Sequence, residues 1–212
     1  MVFAAESFPG LAAMLDQDLN TILTAGDPLG VGVITGWFVP PAMNDAGQLA
    51  FVAQSSDSDR INLATNSGGT SSPVLFSGDG APGGGTFIDF GGYLLAINNS
   101  GLMAFDGTVS APGRSGLFQL ASTGVSSVVQ VGDPAPGGGA FEQIGPGSMN
   151  DSGQVAFQAV VGSPGRSGTF LWSAGTTVAI AQTGDAAPGG GIFAYVYTPS
   201  LNDAGQNRFR RR

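Results

Sequence analysis

MNDSGQVAF at residues 149–157 returns as MNDAGQLAF at 43–51, INNSGLMAF at 97–105 and LNDAGQNRF at 201–209. Each copy starts on an apolar residue, continues as Asn-x-x-Gly and ends on an apolar residue and Ala-Phe; the fourth departs at Asn207 and Arg208. Asn and Asp side chains hydrogen-bond nearby backbone and tolerate left-handed backbone, which Gly enters at no steric cost. Followed by alternating apolar and polar positions, such a cluster predicts a β-hairpin with a tight loop. In Gln154–Val161 one face then carries Val155, Phe157 and Ala159, and the small Ala of the Ala-Phe pair suits a crowded contact between packed sheets. Four equal bends are a simpler account of Asn44, Gly47, Asn98, Gly101, Asn150, Gly153, Asn202 and Gly205 than four equal metal or ligand sites.

The period is longer than the phrase. Asn44, Asn98, Asn150 and Asn202 stand 54, 52 and 52 residues apart, and Gly-Asp pairs ending at Asp27, Asp79, Asp133 and Asp185 stand 52, 54 and 52 apart. Three of these aspartates open Asp-x-Ala-Pro-Gly-Gly-Gly, where an Asp side chain holds a turn through backbone N–H groups; a ring of cation or ligand sites is the alternative. Arg60, Arg114 and Arg166 recur in register and suggest ion pairs to a repeating Asp, between units or closing one, with an anionic sugar or carboxylate as the other partner to consider.

From Arg114 to Gly165 the pattern predicts four short strands: Gly116–Ser122, Val125–Val131, one starting near Phe141, and Gln154–Val161. Four strands in about 52 residues is the size of a propeller blade. The expected fold is all-β, a β-propeller or propeller-like array of four roughly 52-residue, four-stranded units at about 6–59, 60–113, 114–165 and 166–206 within one repeat domain. Gly10–Asp27 aligns without gaps to Gly116–Asp133, so it is read as strand–turn–strand although Leu11–Leu19 alone resembles a short helix. Residues 1–5 look like a spare fourth strand. Either they close a ring of four, giving a monomer, or the chain is a fragment of a longer array whose open edges invite self-association. The basic stretch 207–212 reads as a disordered end, with a contact to nucleic acid or an anionic membrane as a weak alternative.

The chain is 42% hydrophobic, and its 36 Gly and 13 Pro fall at fixed places in the period, which marks them as punctuation of strands. Charged residues make up 10%, the formal net charge is −8, and there is no Lys, His or Cys. No basic stripe is present to meet phosphates, so a nucleic-acid partner is not expected. Without cysteine there is neither a disulfide framework nor a thiolate metal site. The usual general bases and nucleophiles are largely missing. No apolar run approaches the ~18 residues of a transmembrane helix, and the N-terminus lacks the pattern of a signal peptide.

Asn44-x-x-Gly47-x-x-Ala50-Phe51 and its copies resemble the signature of a bacterial family of choice-of-anchor tandem repeat proteins with N-x-x-G-x-x-A-F repeats. The resemblance covers nearly the whole chain through four copies. It implies an exported, surface or extracellular repeat protein, with no catalytic residues to transfer; no anchor segment is visible in this chain.

The remaining candidates are dispersed. Asp16, Asp18 and Asn20 open like a calcium loop with Asp27 at the twelfth position, although Thr21 stands where such loops have Gly, and no other cofactor is suggested. Trp37 and Tyr195 stand seven residues before their Asn, and Tyr93 and Tyr197 five before, which places these aromatics on one strand face as a candidate ligand surface or as packing between units. The expected function is a non-enzymatic surface scaffold that binds a glycan or protein through loops at one end of the units. A polysaccharide hydrolase or lyase acting through Asp16, Asp57, Asp59, Asp89 or Glu142 is the enzymatic alternative. A purely structural surface-layer repeat is the third reading.

Overall fold

A computed structural model of the chain describes residues 23–58, 60–162 and 165–208. The expectations placed on Met1–Ala5, on Asp16, Asp18, Asn20 and Asp59, and on Phe209–Arg212 lie outside them. Every regular element among the described residues is a β-strand. β1 (Pro28–Leu29), β2 (Gly32–Trp37), β3 (Ala42–Met43), β4 (Leu49–Ser55), β5 (Ile61–Ser67) and β6 (Thr70–Phe76) form a first sheet in the order β1–β2–β4–β5–β6, with β3 on β4. β7 (Phe87–Ile97), β8 (Met103–Val109), β9 (Gly116–Ala121) and β10 (Gly124–Gln130) form a second. β11 (Phe141–Met149), β12 (Val155–Val161), β13 (Arg166–Ser173) and β14 (Thr176–Gln182) form a third, and β15 (Ser200–Leu201) pairs with β16 (Asn207–Arg208). All pairings are antiparallel, and the second and third sheets are simple four-stranded meanders.

The sheets are out of phase with the units read from the sequence. β9 and β10 pair back onto β8, whereas β11 starts the next sheet. A periodic sequence does not mark where one sheet stops. Short turns keep their strands paired, and the Gly- and Pro-rich loop at 132–139 turns out to be the crossing between sheets.

The phrase folds as its turn chemistry dictates. In the Asn44 hairpin the Gly47 N–H donates to the Asn44 carbonyl at 3.0 Å and the Asn44 N–H to the Gln48 carbonyl at 3.1 Å. Gly47, Gly101, Gly153 and Gly205 occupy this turn at φ of 75°, 80°, 74° and 74°, which a side chain would strain. Beyond the turn the strand alternates. Phe51, Phe105 and Phe157 are wholly buried on one face and Ala50, Ala104 and Ala156 on the other. Phe105 packs in one cluster with Phe87, Phe90 and Phe118 of its own sheet and Ala50, Val52 and Leu63 of the first. Phe157 repeats this one sheet later, with Phe141 and Phe170 and with Ala104 and Leu117 of the second sheet. The second and third sheets therefore each press their phenylalanines onto the alanine side of the sheet before, and the small Ala lets the two approach.

The fourth copy makes the same hairpin, with Leu201 opposite Asn207. Asn207 stands where Leu49, Met103 and Val155 stand in the other copies, and both its Oδ1 and Nδ2 are buried without a partner. Burying an unsatisfied amide costs roughly 1–3 kcal/mol. Asn207→Val is expected to raise the denaturation midpoint; an unchanged or lower midpoint counts against the burial of that amide.

Candidate functional site

Three features collect the polar side chains: a column of turns, a set of Arg-clasped loops, and a tyrosine-rimmed cleft. The column joins the sheets. Asn44 Nδ2 donates to the Asn98 carbonyl at 2.9 Å, Asn98 Nδ2 to the Asp151 carbonyl at 3.0 Å, and Asn150 Nδ2 to the Asn202 carbonyl at 3.1 Å. Alongside, the backbone N–H of Asp45 donates to Asn99 Oδ1, that of Asn99 to Asp151 Oδ1, and that of Asp151 to Asp203 Oδ1, at 2.9, 3.0 and 2.9 Å. Asn99 Nδ2 sits between two carboxylates, 2.9 Å from Asp45 Oδ2 and 2.7 Å from Asp151 Oδ2. Every bond across a junction through a turn's backbone N–H or leading Asn runs from the earlier turn to the later one, so the column has a direction. Asn44, Asn98 and Asn150 are buried by it, while Asn202 is exposed.

Asp79, Asp133 and Asp185 hold the loops that leave the last strands of the first, second and third sheets, and Asp27 holds the turn that leads into β1. Oδ2 of Asp27, Asp79, Asp133 and Asp185 accepts the N–H three residues earlier, from Thr24, Phe76, Gln130 and Gln182, at 2.7, 3.0, 2.8 and 2.8 Å. The other oxygen of Asp79, Asp133 and Asp185 meets an arginine. Arg60 pairs with Asp79 at 2.5 Å, Arg114 with Asp133 at 2.7 Å, and Arg166 with Asp185. Each pair lies within one sheet, tying the start of its second-to-last strand, or a residue just ahead of that strand, to the loop after its last, so it does not bridge sheets. With side chains 31–46% exposed, solvent screening leaves each pair worth only about 0.2–1 kcal/mol.

The cleft opens between the second and third sheets. About 440 Å³ is enclosed by Tyr93, Val131, Gln143, Ile144, Gly145, Gln158, Ala159 and Val160. Tyr93 is 61% exposed at its rim. It rides on a bulge in β7, where pairing with β8 slips between Phe90 and Leu95. The bulge is held from the neighbouring strand: the N–H groups of Gly92, Tyr93 and Leu94 donate to the Asp106 carboxylate at 3.1, 2.7 and 2.7 Å. Asp106 was not among the sequence candidates; the Gly91-Gly92 pair before Tyr93 was its local signal. Gly145 occupies the position five residues before Asn150 that Tyr93 and Tyr197 occupy before Asn98 and Asn202, and the side chain it lacks leaves the floor open. Gln158 Nε2 donates to the Val196 carbonyl at 3.0 Å, between Tyr195 and Tyr197, whose rings are 6.5 Å apart and exposed. Thus Tyr195 and Tyr197 flank the carbonyl that Gln158, a cleft residue, holds. For Trp37 only the backbone is described, paired with Ala53.

The candidate acids among the described residues do not join this cleft. Asp89 accepts the N–H of Phe90 at 2.8 Å. Asp57 lies against Gly32, and Glu142 reaches over Gly162, on the first and third sheets. None of them lines the Tyr93 cleft or a second cleft, of about 540 Å³, between the first and second sheets. Among the described residues no three His, Cys, Asp or Glu side chains are grouped to hold a metal ion, and no helix is long and apolar enough to cross a membrane.

With this geometry in view, the chain belongs to a family of unknown function (DUF7453), whose model matches residues 6–170 and again 149–212. No curated protein and no solved structure matches it.

Proposed function

We propose that this protein is a non-enzymatic, extracellular binding scaffold for a neutral glycan, with its sheets set as a propeller-like array. The Tyr93 cleft carries the reading. An exposed ring mounted on a bulge whose backbone is braced by three hydrogen bonds stands on a fixed base, so little backbone entropy is lost on binding. Such a ring offers a flat apolar face to a sugar, and the Gln143 and Gln158 amides beside it offer both donors and acceptors to hydroxyl groups. The residues lining the cleft carry no charge, which suits a neutral ligand better than an acidic one. The propeller-like arrangement is supported by the meander order of the sheets and by the packing of each first strand on the next, β7 on β11 and β11 on β15. The extracellular placement draws on the likeness to exported repeat proteins.

A glycan array read with the purified chain, followed by calorimetry on the ligands it retains, tests the proposal. Tyr93→Ala is expected to weaken binding by at least about tenfold, the loss of a central aromatic contact, while the melting temperature stays near that of the parent. Binding to no neutral glycan at millimolar concentration, or equal binding by Tyr93→Ala, would overturn it.

A further inference from the structure

Among the described residues the turn column runs from the Asn44 turn to the Asn202 turn, and the outer surfaces of these two turns match each other. Three junctions in this chain are built alike: an Asn Nδ2 reaches a backbone carbonyl of the next turn, and a backbone N–H reaches an Oδ of its second residue. At each junction the Gly of the later turn leaves room for the earlier turn's fifth residue. A Cβ on Gly101 would meet Gln48 at 4.0 Å, one on Gly153 would meet Leu102 at 2.8 Å, and one on Gly205 would meet Gln154 at 3.1 Å.

The Asn202 turn has the donor half of this arrangement, and among the described residues nothing lies opposite it. Asn202, Asp203 and Ala204 are exposed, and Asn202 Nδ2 donates only to Gln206 Oε1, at 2.9 Å. The first turn has the acceptor half. Asp45 is exposed and its Oδ1 takes no bond from any described residue, a Cβ on Gly47 would meet no described atom within 4 Å, and Met43 is 62% exposed where its counterpart Ile97 is 9% exposed.

We propose that the Asn202–Gln206 turn docks on the Asn44–Gln48 turn of a second copy of this chain, head to tail. The occupant is argued from the pattern of partners. Whatever covers Asn202 must offer a turn carbonyl, an Oδ beside it and a glycine gap, and this chain presents all three in its Asn44 turn, where the carbonyl keeps a second lone pair beside the Gly47 bond and no other turn among the described residues meets them. In the docked pair Asn202 Nδ2 reaches the Asn44 carbonyl, the Asp203 N–H reaches Asp45 Oδ1, and Gln206 fills the gap over Gly47. Such a contact uses different surfaces on the two copies, so it adds copies until the rotation closes a ring or continues as a filament. It also sets Asp203 beside Asp45, on a chain of net charge −8, so association strengthens as salt screens that repulsion.

Sedimentation in about 0.5 M salt, where the Debye length is only a few ångströms, gives the first test. The mass is expected to rise above 21.2 kDa with concentration, and Asn202→Asp is expected to hold it at one chain. That variant still accepts the Gln206 N–H and, with the Gln206 amide turned over, keeps its own turn; it loses only the outward donor. The chain has no cysteine, so the register is tested by mixing an Asp203→Cys copy with an Asp45→Cys copy under mild oxidation, where a disulfide-linked pair between the two is expected. A wild-type mass that stays at 21.2 kDa at several hundred micromolar, equal assembly by Asn202→Asp, or no mixed disulfide would overturn the proposal. So would a double Asp45→Cys/Asp203→Cys variant that links within one chain, which would mean that the column closes on itself.

Discussion

Phe157→Ala is expected to destabilise the protein by about 3–5 kcal/mol, the range for truncating a buried aromatic in a core that cannot collapse around the loss. Phe157 is fully buried. Its ring meets Phe141 edge-on at 5.7 Å and stacks on Phe170 at 5.7 Å, and those two meet each other at 5.0 Å. The same cluster takes in Leu94, Ala104 and Leu117 from the second sheet. The cavity would therefore open within a sheet and at the junction between two sheets at once. Strand backbones on both sides are fixed by their ladders, so little relaxation is available. For a chain of this size the loss corresponds to a fall in melting temperature on the order of 10 °C. Because neighbouring sheets stabilise one another through their shared faces, the transition should also broaden as the third sheet loosens from the second. Urea unfolding of the variant beside the parent measures this; a loss under about 1 kcal/mol would mean that the ring does not fill the space described.

The hairpins and the alternation of their strands were legible because both are local. A left-handed Gly, an Asn that accepts the N–H four residues on, and a buried Phe two residues from another apolar side chain each leave a mark within nine residues. The phase of the sheets left none. Nothing within Gly132–Gly139 distinguishes a turn inside a sheet from a crossing between sheets, since both require Gly and Pro. The Asp106 brace was hidden for a similar reason: its three donors sit 12–14 residues away, and an Asp in a strand reads as a solvent-facing side chain. The column of turns did leave a signal that turn chemistry alone does not explain. A residue that only closes its own turn is as good as Asp or Asn. Yet the leading position is Asn in all four copies, while the second position is Asp at 45, 151 and 203 and Asn at 99. At 44, 98 and 150 the first donates across a junction, which a carboxylate cannot do; at 99, 151 and 203 the second accepts, which both can.

That distinction makes the last expected result a paired one. Asn98→Asp should cost about 2–4 kcal/mol, whereas Asn202→Asp should change stability by less than about 0.5 kcal/mol, the usual scale for an exposed surface position. Within its own turn the substituted carboxylate keeps every bond that Asn98 makes, because Oδ1 only accepts there, from the Ser100 N–H, the Ser100 hydroxyl and the Leu102 N–H at 3.0, 2.7 and 3.0 Å. What changes is the other atom. Asn98 Nδ2 donates to the Asp151 carbonyl at 3.0 Å, and Asn98 is 5% exposed. A carboxylate there would turn a hydrogen bond into lone-pair repulsion and would bury a charge. The sign with pH follows. Burial favours the neutral acid, so the folded variant would hold its proton to higher pH than the unfolded chain does, and the penalty would shrink as pH falls through the carboxyl's folded-state titration and the protonated oxygen donates as the amide did. At position 202 no carbonyl of the described residues faces the substituted atom in a single chain, and no such recovery is expected. Melting curves of both variants near pH 7 and near pH 4, each against the parent at the same pH, separate the cases. Equal losses at the two positions would mean that the amide's service is confined to its own turn and that the column carries no energy between sheets.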